Sequence, residues 1–500
     1  MSQNYRLENA GLINRQKKIS FKFNKKKYYG YEGDTLASAL IANGIHLVGR
    51  SFKYHRPRGF FGAGVDEPYA IVQLYRNNET DPNVRATEQE LFEGLEAESV
   101  NCWPNVNFDI GAINNFLRIF FPAGFYYKTF MWPRSFWYKI YEPIIRKAAG
   151  FGKASIKHDK ERYEHKYEYC DILVTGSGPS GLASAYAAAK NGAKVILAEE
   201  KPRFGGSLLT SDVNIGNQTG HEWAEKIISE LKTMPNVIVK NRSQVFGYYD
   251  HNMLVMSERV SDHLPKTDKY IPKQRLWYIR AKEVVISSGS IERPLVFGNN
   301  DTPGVMLSSA AKEYMKIYGV LVGKKPLIFT NNDSGYETAI EFKKNGIDPI
   351  ILDTRKNPKS DIITEAKNLN IKIKYSHVVV AAKGYKKVSS ADIAEISVDK
   401  KNLGKIENIS CDCICVSGFW TPTIHLASQS GSKTMFKKEI DAFVPSNSKQ
   451  NETTVGSANG IFSLNETINN AFENGHSLSN KITNKDNKVS IPTVVEKKSA

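Results

Sequence analysis

Three glycines stand as G-x-G-x-x-G in Gly176-Ser177-Gly178-Pro179-Ser180-Gly181, directly after the apolar run Ile172-Leu173-Val174. Residues of this type at this spacing can cradle a pyrophosphate. Gly176 permits the tight turn, Gly178 lets the backbone approach the phosphates, and Gly181 lets the next helix pack closely on the sheet. A helix expected over 182–191 then turns its N-terminal N–H groups and positive dipole end toward them. The helix stops at Gly192, the strand Lys194-Val195-Ile196-Leu197-Ala198 follows, and Glu199 arrives eighteen residues after Gly181. A carboxylate there accepts ribose hydroxyls and repels a 2′-phosphate, which favours NAD or FAD over NADP. The same glycine spacing occurs in Gly-rich turns that bind nothing. Here strand, turn, helix, strand and acid come in order, and that order favours a dinucleotide.

Little else in the chain has the pattern of reaction chemistry, and no catalytic residue is nominated. The five cysteines contain no C-x-x-C pair, so the redox couple of a disulfide reductase is missing. No H-E-x-x-H, Ser-His-Asp or paired-carboxylate motif stands in usable context. Cys411, Cys413 and Cys415 alternate and share one face if they lie on a strand. They are expected to be buried small hydrophobes ahead of a metal site, and no metal is nominated. His425, just after Trp420-Thr421-Pro422, is expected to be a packed structural imidazole.

Those motifs need a frame to hold them, and 500 residues suggest about three domains. Net charge is +16, from 68 basic against 52 acidic residues, with a cluster at Lys17, Lys18, Lys22, Lys25, Lys26 and Lys27. No nucleic-acid module accompanies the cluster, so it reads as a solvated strand edge and turn, with no nucleic-acid partner. An odd number of cysteines without a disulfide framework points to a reducing compartment. Met1 to Ala10 is polar, without the apolar core of a signal peptide. The most lipid-like stretch, 116–145, is broken by Pro122, Pro133 and Pro143 and carries Arg118, Lys128, Arg134 and Lys139. It cannot supply a span of about 20 apolar residues. No membrane is expected as a partner, and the expected location is cytoplasmic.

The chain divides into four expected regions. Residues 1–105 read as a small α+β domain: Ile19, Phe21 and Phe23 alternate, Asn24 to Lys27 turn, Tyr28 to Tyr31 return, and Gly33-Asp34-Thr35 caps a helix ending at Asn43-Gly44. This is the opening of a β-grasp, ferredoxin-like domain. The C-x₄-C-x₂-C of a plant-type cluster is absent, since no cysteine precedes Cys102, so the domain is expected to lack a cluster. In its place comes Gly49 to Gly59, whose Arg50, Lys53, His55, Arg56 and Arg58 suit either an anion or a partner's acidic face, or are simply an exposed charged loop. Residues 106–167 form an aromatic-rich connector, expected to be covered partly by this chain's own domains and partly by another subunit. Residues 168–483 read as a dinucleotide-binding domain with an inserted second βαβ domain, and 484–500 as a linker or frayed tail. The fold class expected is therefore α/β, with FAD/NAD(P)-binding Rossmann-type domains of the disulfide-reductase class after the cluster-less β-grasp domain. The second βαβ turn, Thr330-Asn331-Asn332-Asp333-Ser334-Gly335, lacks the phosphate glycines, so one dinucleotide is expected, not two.

Several less common strings carry a closer resemblance: Gly33-Asp34-Thr35-Leu36-Ala37-Ser38-Ala39-Leu40, Gly49 through Gly59, and Pro122 through Pro133. To these are added Glu292-Arg293-Pro294-Leu295-Val296-Phe297, Pro303-Gly304-Val305-Met306-Leu307, Thr330 to Ser334 and His425 to Gly431. Along nearly its whole length the chain resembles the α subunits of heterotetrameric sarcosine oxidases. That resemblance implies a subunit that binds NAD where the reductases bind FAD. FAD and FMN would lie on a partner β subunit that handles sarcosine, and γ and δ subunits would complete the complex. It implies oxidation of sarcosine to glycine, transfer of the one-carbon unit to tetrahydrofolate, and hydrogen peroxide from oxygen. The folate-binding half of the family has no counterpart before Ala500. The residues so nominated for the cofactor are Gly176, Ser177, Gly178, Pro179, Ser180, Gly181, Glu199, Glu200, Gly206, Ser207, Val245, Ser288 and Gly289, with Arg50 to Arg58 toward the β subunit and its FMN. A self-sufficient FAD-dependent NADH oxidoreductase, and a subunit of a related proline or opine dehydrogenase complex, remain as alternatives.

Overall fold

The computed structural model describes residues 3–76, 79–122, 124–125, 129–265, 268, 270–397, 399, 401–487 and 489–496. Of the string Pro122–Pro133, Ala123 and Tyr126 to Lys128 lie outside the described residues. So do Lys488 and 497–500 of the expected tail. The chain forms two compact units, one of Met1–Asp159 with Pro294–Phe419, the other of Lys160–Arg293 with Trp420–Lys498.

The first unit begins with the expected β-grasp. Strands β1 (Asn14–Phe23) and β2 (Lys26–Glu32) form a hairpin in which Ile19, Phe21 and Phe23 are buried, because alternate side chains share the core face. Helix α1 (Leu36–Ala42) starts where Thr35 and Ser38 exchange side-chain-to-backbone hydrogen bonds as a capping box. Beneath it the buried Asp34 carboxylate accepts both guanidinium nitrogens of Arg6, at 3.0 and 2.7 Å. Strands β3 (Ile71–Arg76), β4 (Glu79–Arg85) and β5 (Glu96–Ser99) complete a five-stranded sheet of order β2-β1-β5-β3-β4, with β1 and β5 parallel. The connector that follows is a run of short helical turns ending in α2 (Glu142–Ala149).

The second unit is built on β6 (Tyr163–Thr175), α3 (Pro179–Lys190), β7 (Val195–Ala198), α4 (Gly220–Thr233), β8 (Val237–Lys240), β9 (Ser243–Tyr249), β10 (Met253–Arg259) and β11 (Gln274–Ile286). Strands β8, β7, β6 and β11 are parallel in that order, and β10 and β9 extend the sheet antiparallel. The Ala-rich α3 lies on one face, where Leu182, Ala185 and Ala189 join Ile172, Val174, Val195 and Val285 in the core.

Returning to the first unit, β12 (Val305–Leu307), α5 (Ser308–Lys316), β13 (Pro326–Thr330), α6 (Ser334–Lys344), β14 (Ile350–Asp353), β15 (Lys372–Tyr375) and β16 (Cys413–Ser417) make the second βαβ layer. Its sheet is parallel throughout, in the order β12-β16-β13-β14-β15. Cys413 and Cys415 are buried on β16 and Cys411 is buried just before it, where they pack as small apolar groups; burial pushes the Cys411 thiol up to about 12, so that sulfur stays protonated. The second unit then closes with β17 (Glu452–Thr454), parallel to β11, and α7 (Leu464–Thr483), which packs on α3.

The tail differs from expectation. Val494–Val495 pairs with Asn214–Ile215, and the Glu496 carboxylate accepts the N–H of Asn465 and the hydroxyl of Ser463 at the start of α7. A buried Val494 and an anion at a helix N-terminus hold what composition alone suggested would fray.

One buried carboxyl group organises the β-grasp loop. Glu67 accepts N–H bonds from Phe61 and Gly62 on Oε2, at 2.6 and 2.8 Å, and from Tyr69 and Ala70 on Oε1, at 2.6 and 3.0 Å. Burial nonetheless pushes its carboxyl up to about 7. A raised folded-state value means that the folded chain holds this proton more tightly than the unfolded chain. The site's contribution is thus fully present below the ordinary carboxylate range and is lost as pH rises through about 7. Chemical denaturation of the full chain should show stability falling between about pH 5 and 8 in part through this group. Glu67→Gln should flatten that slope and lower stability by about 1–3 kcal/mol, because its amide sets a donor against two N–H donors.

Candidate functional site

The parallel strands β6, β7, β11 and β17 end level with one another, since Ile286 pairs with both Thr175 and Thr454, and Thr175 with Ala198. Past those ends the chain makes four close loops. In the first, Gly176 has φ +101°, and a Cβ on it would sit 2.5 Å from the Ser287 carbonyl. At Gly181 a Cβ would lie 1.9 Å from the Gly176 carbonyl oxygen, so only glycine lets α3 start this close to the strand. Gly178 is different: a Cβ there meets nothing within 4 Å. It caps α3 with no side-chain hydrogen bond, and Pro179 takes the first helical position, where a missing N–H costs nothing. The first-turn N–H groups of a helix lack intrahelical acceptors, so the opening above Gly178 is a place for an anion.

The other loops complete the rim. Gly205 and Gly206 both have positive φ, and a Cβ on Gly206 would lie 2.8 Å from Gly178 Cα. Ser207 is exposed beside them, on the short turn Gly206–Leu209. Gly289, φ +76°, faces open space: a Cβ on it would stand 4.0 Å from Ser457 Oγ, its nearest neighbour. Ser288 donates its hydroxyl to the Thr423 carbonyl, whereas Ser287 donates to the carbonyls of Thr175 and Gly176 and locks the phosphate turn. The room above Gly178 and Gly289, with the bare N-cap of α3, fits the pyrophosphate of a dinucleotide.

Glu199 follows β7 with its side chain buried. Its Oε2 accepts both the N–H and the hydroxyl of Ser177, at 2.8 and 2.6 Å, and Oε1 accepts the N–H of Lys201 at 2.9 Å. A carboxylate offers about four acceptor positions, so one on Oε1 remains for a ribose hydroxyl. Glu200, next along, is half-buried, with its carbonyl accepting from Arg259. Val245 lies on β9, packed against the core around Leu173 and Trp277, two residues past Ser243, whose N–H bonds to the Glu199 carbonyl.

Sequence reasoning missed the fourth loop. Gly456, φ +66°, follows β17, and a Cβ on it would lie 2.6 Å from Ser180 Oγ, so it pins the start of α3. The only local signal was an alternating strand followed by Gly-Ser-Ala. His425, expected to be packed, is exposed at the start of its short helix, where Leu426 and Ala427 take the core positions instead.

The basic stretch Arg50–Arg58 is also placed differently from expectation. Arg50 is buried, donating to the Val106 and His55 carbonyls and to Tyr385 Oη. Lys53 donates to the Pro122 carbonyl, His55 pairs with Asp109 at 2.7 Å, and Arg56 and Arg58 both close on Asp301. Internal acceptors engage all five side chains, so they brace the first unit and do not form an open anion face. In the second βαβ layer, the acid ending β14, Asp353, accepts Tyr336 Oη at 2.7 Å and Arg355 at 2.9 Å, while Asn332 and Ser417 fill the turn. A Cβ on Gly335 would meet Thr330 at 2.6 Å, the same close helix approach that Gly181 makes, so it is the buried Asn332, where the first turn has Gly178, that fills this turn.

Fold and cradle together define an oxidoreductase-type chain of the FAD/NAD(P)-binding class behind a ferredoxin-like domain. Residues 171–245 match the family described as FAD dependent oxidoreductase, and residues 16–102 the family described as 2Fe-2S iron–sulfur cluster binding domain. Within the latter stretch the only cysteine is Cys102. The chain is a relative of sarcosine oxidase subunit alpha: it is 45% identical to that of Rhizobium meliloti over 91% of this chain and 45% of the relative. It is 31% identical to that of Corynebacterium sp. strain P-1 over 92% of this chain and 44% of the relative. It thus spans about half the length of the curated relatives it matches. Among solved structures, L-proline dehydrogenase from P. horikoshii shares the fold, with TM-score 0.63 at 19% identity over 96% of this chain and 75% of that one. No described helix is long and apolar enough to cross a membrane.

The two kinds of glycine should separate experimentally. Gly178→Ala should unfold within about 1 kcal/mol of the parent yet weaken nucleotide binding at least about tenfold by calorimetry, since its Cβ points only into the cradle. Gly181→Ala should cost about 2–5 kcal/mol of stability, because its Cβ collides with backbone.

Proposed function

We propose that this chain is the NAD-binding α-type subunit of a heterotetrameric sarcosine oxidase complex in the cytoplasm. In that reading a β subunit carrying FAD and FMN oxidises the N-methyl group of sarcosine, with glycine as product. The one-carbon unit passes to tetrahydrofolate, two electrons pass to oxygen to give hydrogen peroxide, and γ and δ subunits complete the assembly. The observation that supports a nucleotide-holding role is the pairing of an open cradle at Gly176–Gly181 with a closed second turn at Asn332–Gly335. A hydride carrier bound in one layer, with no room for a second dinucleotide in the other, serves structure or assembly and not turnover within this chain.

The chain's own residues have definite parts in that reading. Gly178, Ser180 and Gly181 face the pyrophosphate with backbone N–H groups, and Gly206, Ser207 and Gly289 line the opening. Ser177 holds Glu199 so that one carboxylate oxygen meets the adenosine ribose. Glu200 and Val245 border the adenosine end, and Ser288 fixes the loop behind the opening. The likeness of residues 171–245 to FAD-dependent oxidoreductases favours a second reading, in which the same cradle holds FAD and the chain is a flavoprotein in its own right.

Purified, denatured chain separates the two. Release of near-stoichiometric NAD with no flavin absorbance is expected. Release of FAD would overturn the NAD assignment and favour the flavoprotein reading, and release of neither with an intact fold would remove the nucleotide role.

A further inference from the structure

The largest departure from ordinary surface physics lies in the connector. Trp103, Phe108, Phe116, Phe120, Trp132 and Tyr138 are 67–83 % exposed, and Ile119 is 84 % exposed. Six aromatics that each carry about 200 Å² present on the order of 900 Å² of apolar surface at that exposure. The largest apolar patch on a typical monomer is about 300–600 Å², while one side of a stable interface is about 800 Å².

The segment is not a loose coil. Ring contacts run from Phe121 to Phe125 at 4.9 Å, Phe125 to Phe130 at 6.3 Å and Phe130 to Tyr141 at 5.2 Å, and Tyr141 Oη donates to the Trp132 carbonyl. Its ends are anchored to the β-grasp domain. Asp109 accepts the N–H of Trp103 and pairs with His55, Tyr54 Oη donates to the Phe121 carbonyl, and Phe151 stacks on Phe52. An anchored aromatic spine that turns its large side chains outward calls for a cover.

Charge narrows the choice of cover. Between 103 and 157 the only acids are Asp109 and Glu142. Asp109 is buried against His55, and Glu142 pairs with Arg146. Arg118, Arg134, Lys139, Lys147, Lys153 and Lys157 are exposed in the same stretch. A second copy of this chain would set cations against cations across a two-fold interface, which costs energy at every contact. A lipid surface is best met by one continuous amphipathic helix. Here the described helical pieces run from three to eight residues, an irregular relief that suits a folded partner.

We propose that the aromatic surface formed by residues 103–122 and 129–151, in and just before the connector, is the docking surface for a separate folded protein subunit whose facing surface is apolar at its centre and rich in carboxylates at its rim. This rests on the reading of the chain as one subunit of an oxidase complex. The expected occupant is that complex's β subunit.

The experiment co-expresses the full chain with the β subunit and measures co-elution, together with the nucleotide retained by the chain as a report of its fold. Two variants are compared with the parent: Phe116→Ser with Trp132→Ser, which removes apolar area, and Arg118→Glu with Lys139→Glu, which reverses the rim. Each should weaken assembly at least about tenfold while nucleotide content stays unchanged, and added salt should weaken the parent complex. A parent that assembles while both variants assemble equally well overturns the docking surface and leaves the subunit reading standing. A parent that does not assemble at all removes both. Phosphatidylserine vesicles that capture the chain alone, or a dimer of the chain abolished by Phe116→Ser with Trp132→Ser, would put lipid or a second copy on this face and overturn the proposal.

Discussion

The approach of α3 to the end of β6 is the constraint on which the second unit depends. The Gly181 Cα lies so near the Gly176 carbonyl that a methyl group would fall 1.9 Å from its oxygen. Everything around the cradle follows from that closeness. Ser287 locks the turn from β11, Gly456 presses Ser180 from β17, and Gly475 of α7 lies against the Ser184 backbone, where a Cβ would be 2.3 Å from its carbonyl oxygen. A helix held so close to the strand ends aims its bare first turn at one small volume. Preorganised N–H groups there cost a bound phosphate little reorganisation.

The two βαβ layers show how the same topology can be open or shut. In the first, small residues leave room and the acid at the strand end keeps an acceptor position. In the second, Asn332, Ser417 and the Asp353–Tyr336–Arg355 cluster occupy the equivalent space with side chains of the chain itself. Buried polar groups must be satisfied by something, and in that layer the sequence provides its own partners. The β-grasp loop follows the same rule, with the Glu67 carboxylate gathering four N–H groups that a loop of its shape turns inward.

The relation to sarcosine oxidase α subunits sits well with this distribution of parts. Among the described residues no group of three or more His, Cys, Asp or Glu is placed to hold a metal, and Cys170, Cys411, Cys413 and Cys415 are buried. The large apolar surface is on the connector, not in a substrate cavity.

Local signals were legible in the sequence because short-range physics creates them. The glycine spacing, the acid after β7, the hairpin alternation of Ile19, Phe21 and Phe23, and the Thr35 cap each depend on neighbours within a few residues. Long-range packing decided the rest. The Arg56 and Arg58 side chains, expected to face outward, found Asp301. The tail expected to fray found Ile215 and the start of α7, and Gly456 became part of the cradle only because β17 inserts beside β11. Sequence by itself determined which backbone shapes were possible and where an anion could be received. Tertiary structure alone decided which charges were satisfied internally and which aromatics were left facing outward, because both depend on partners distant in the chain.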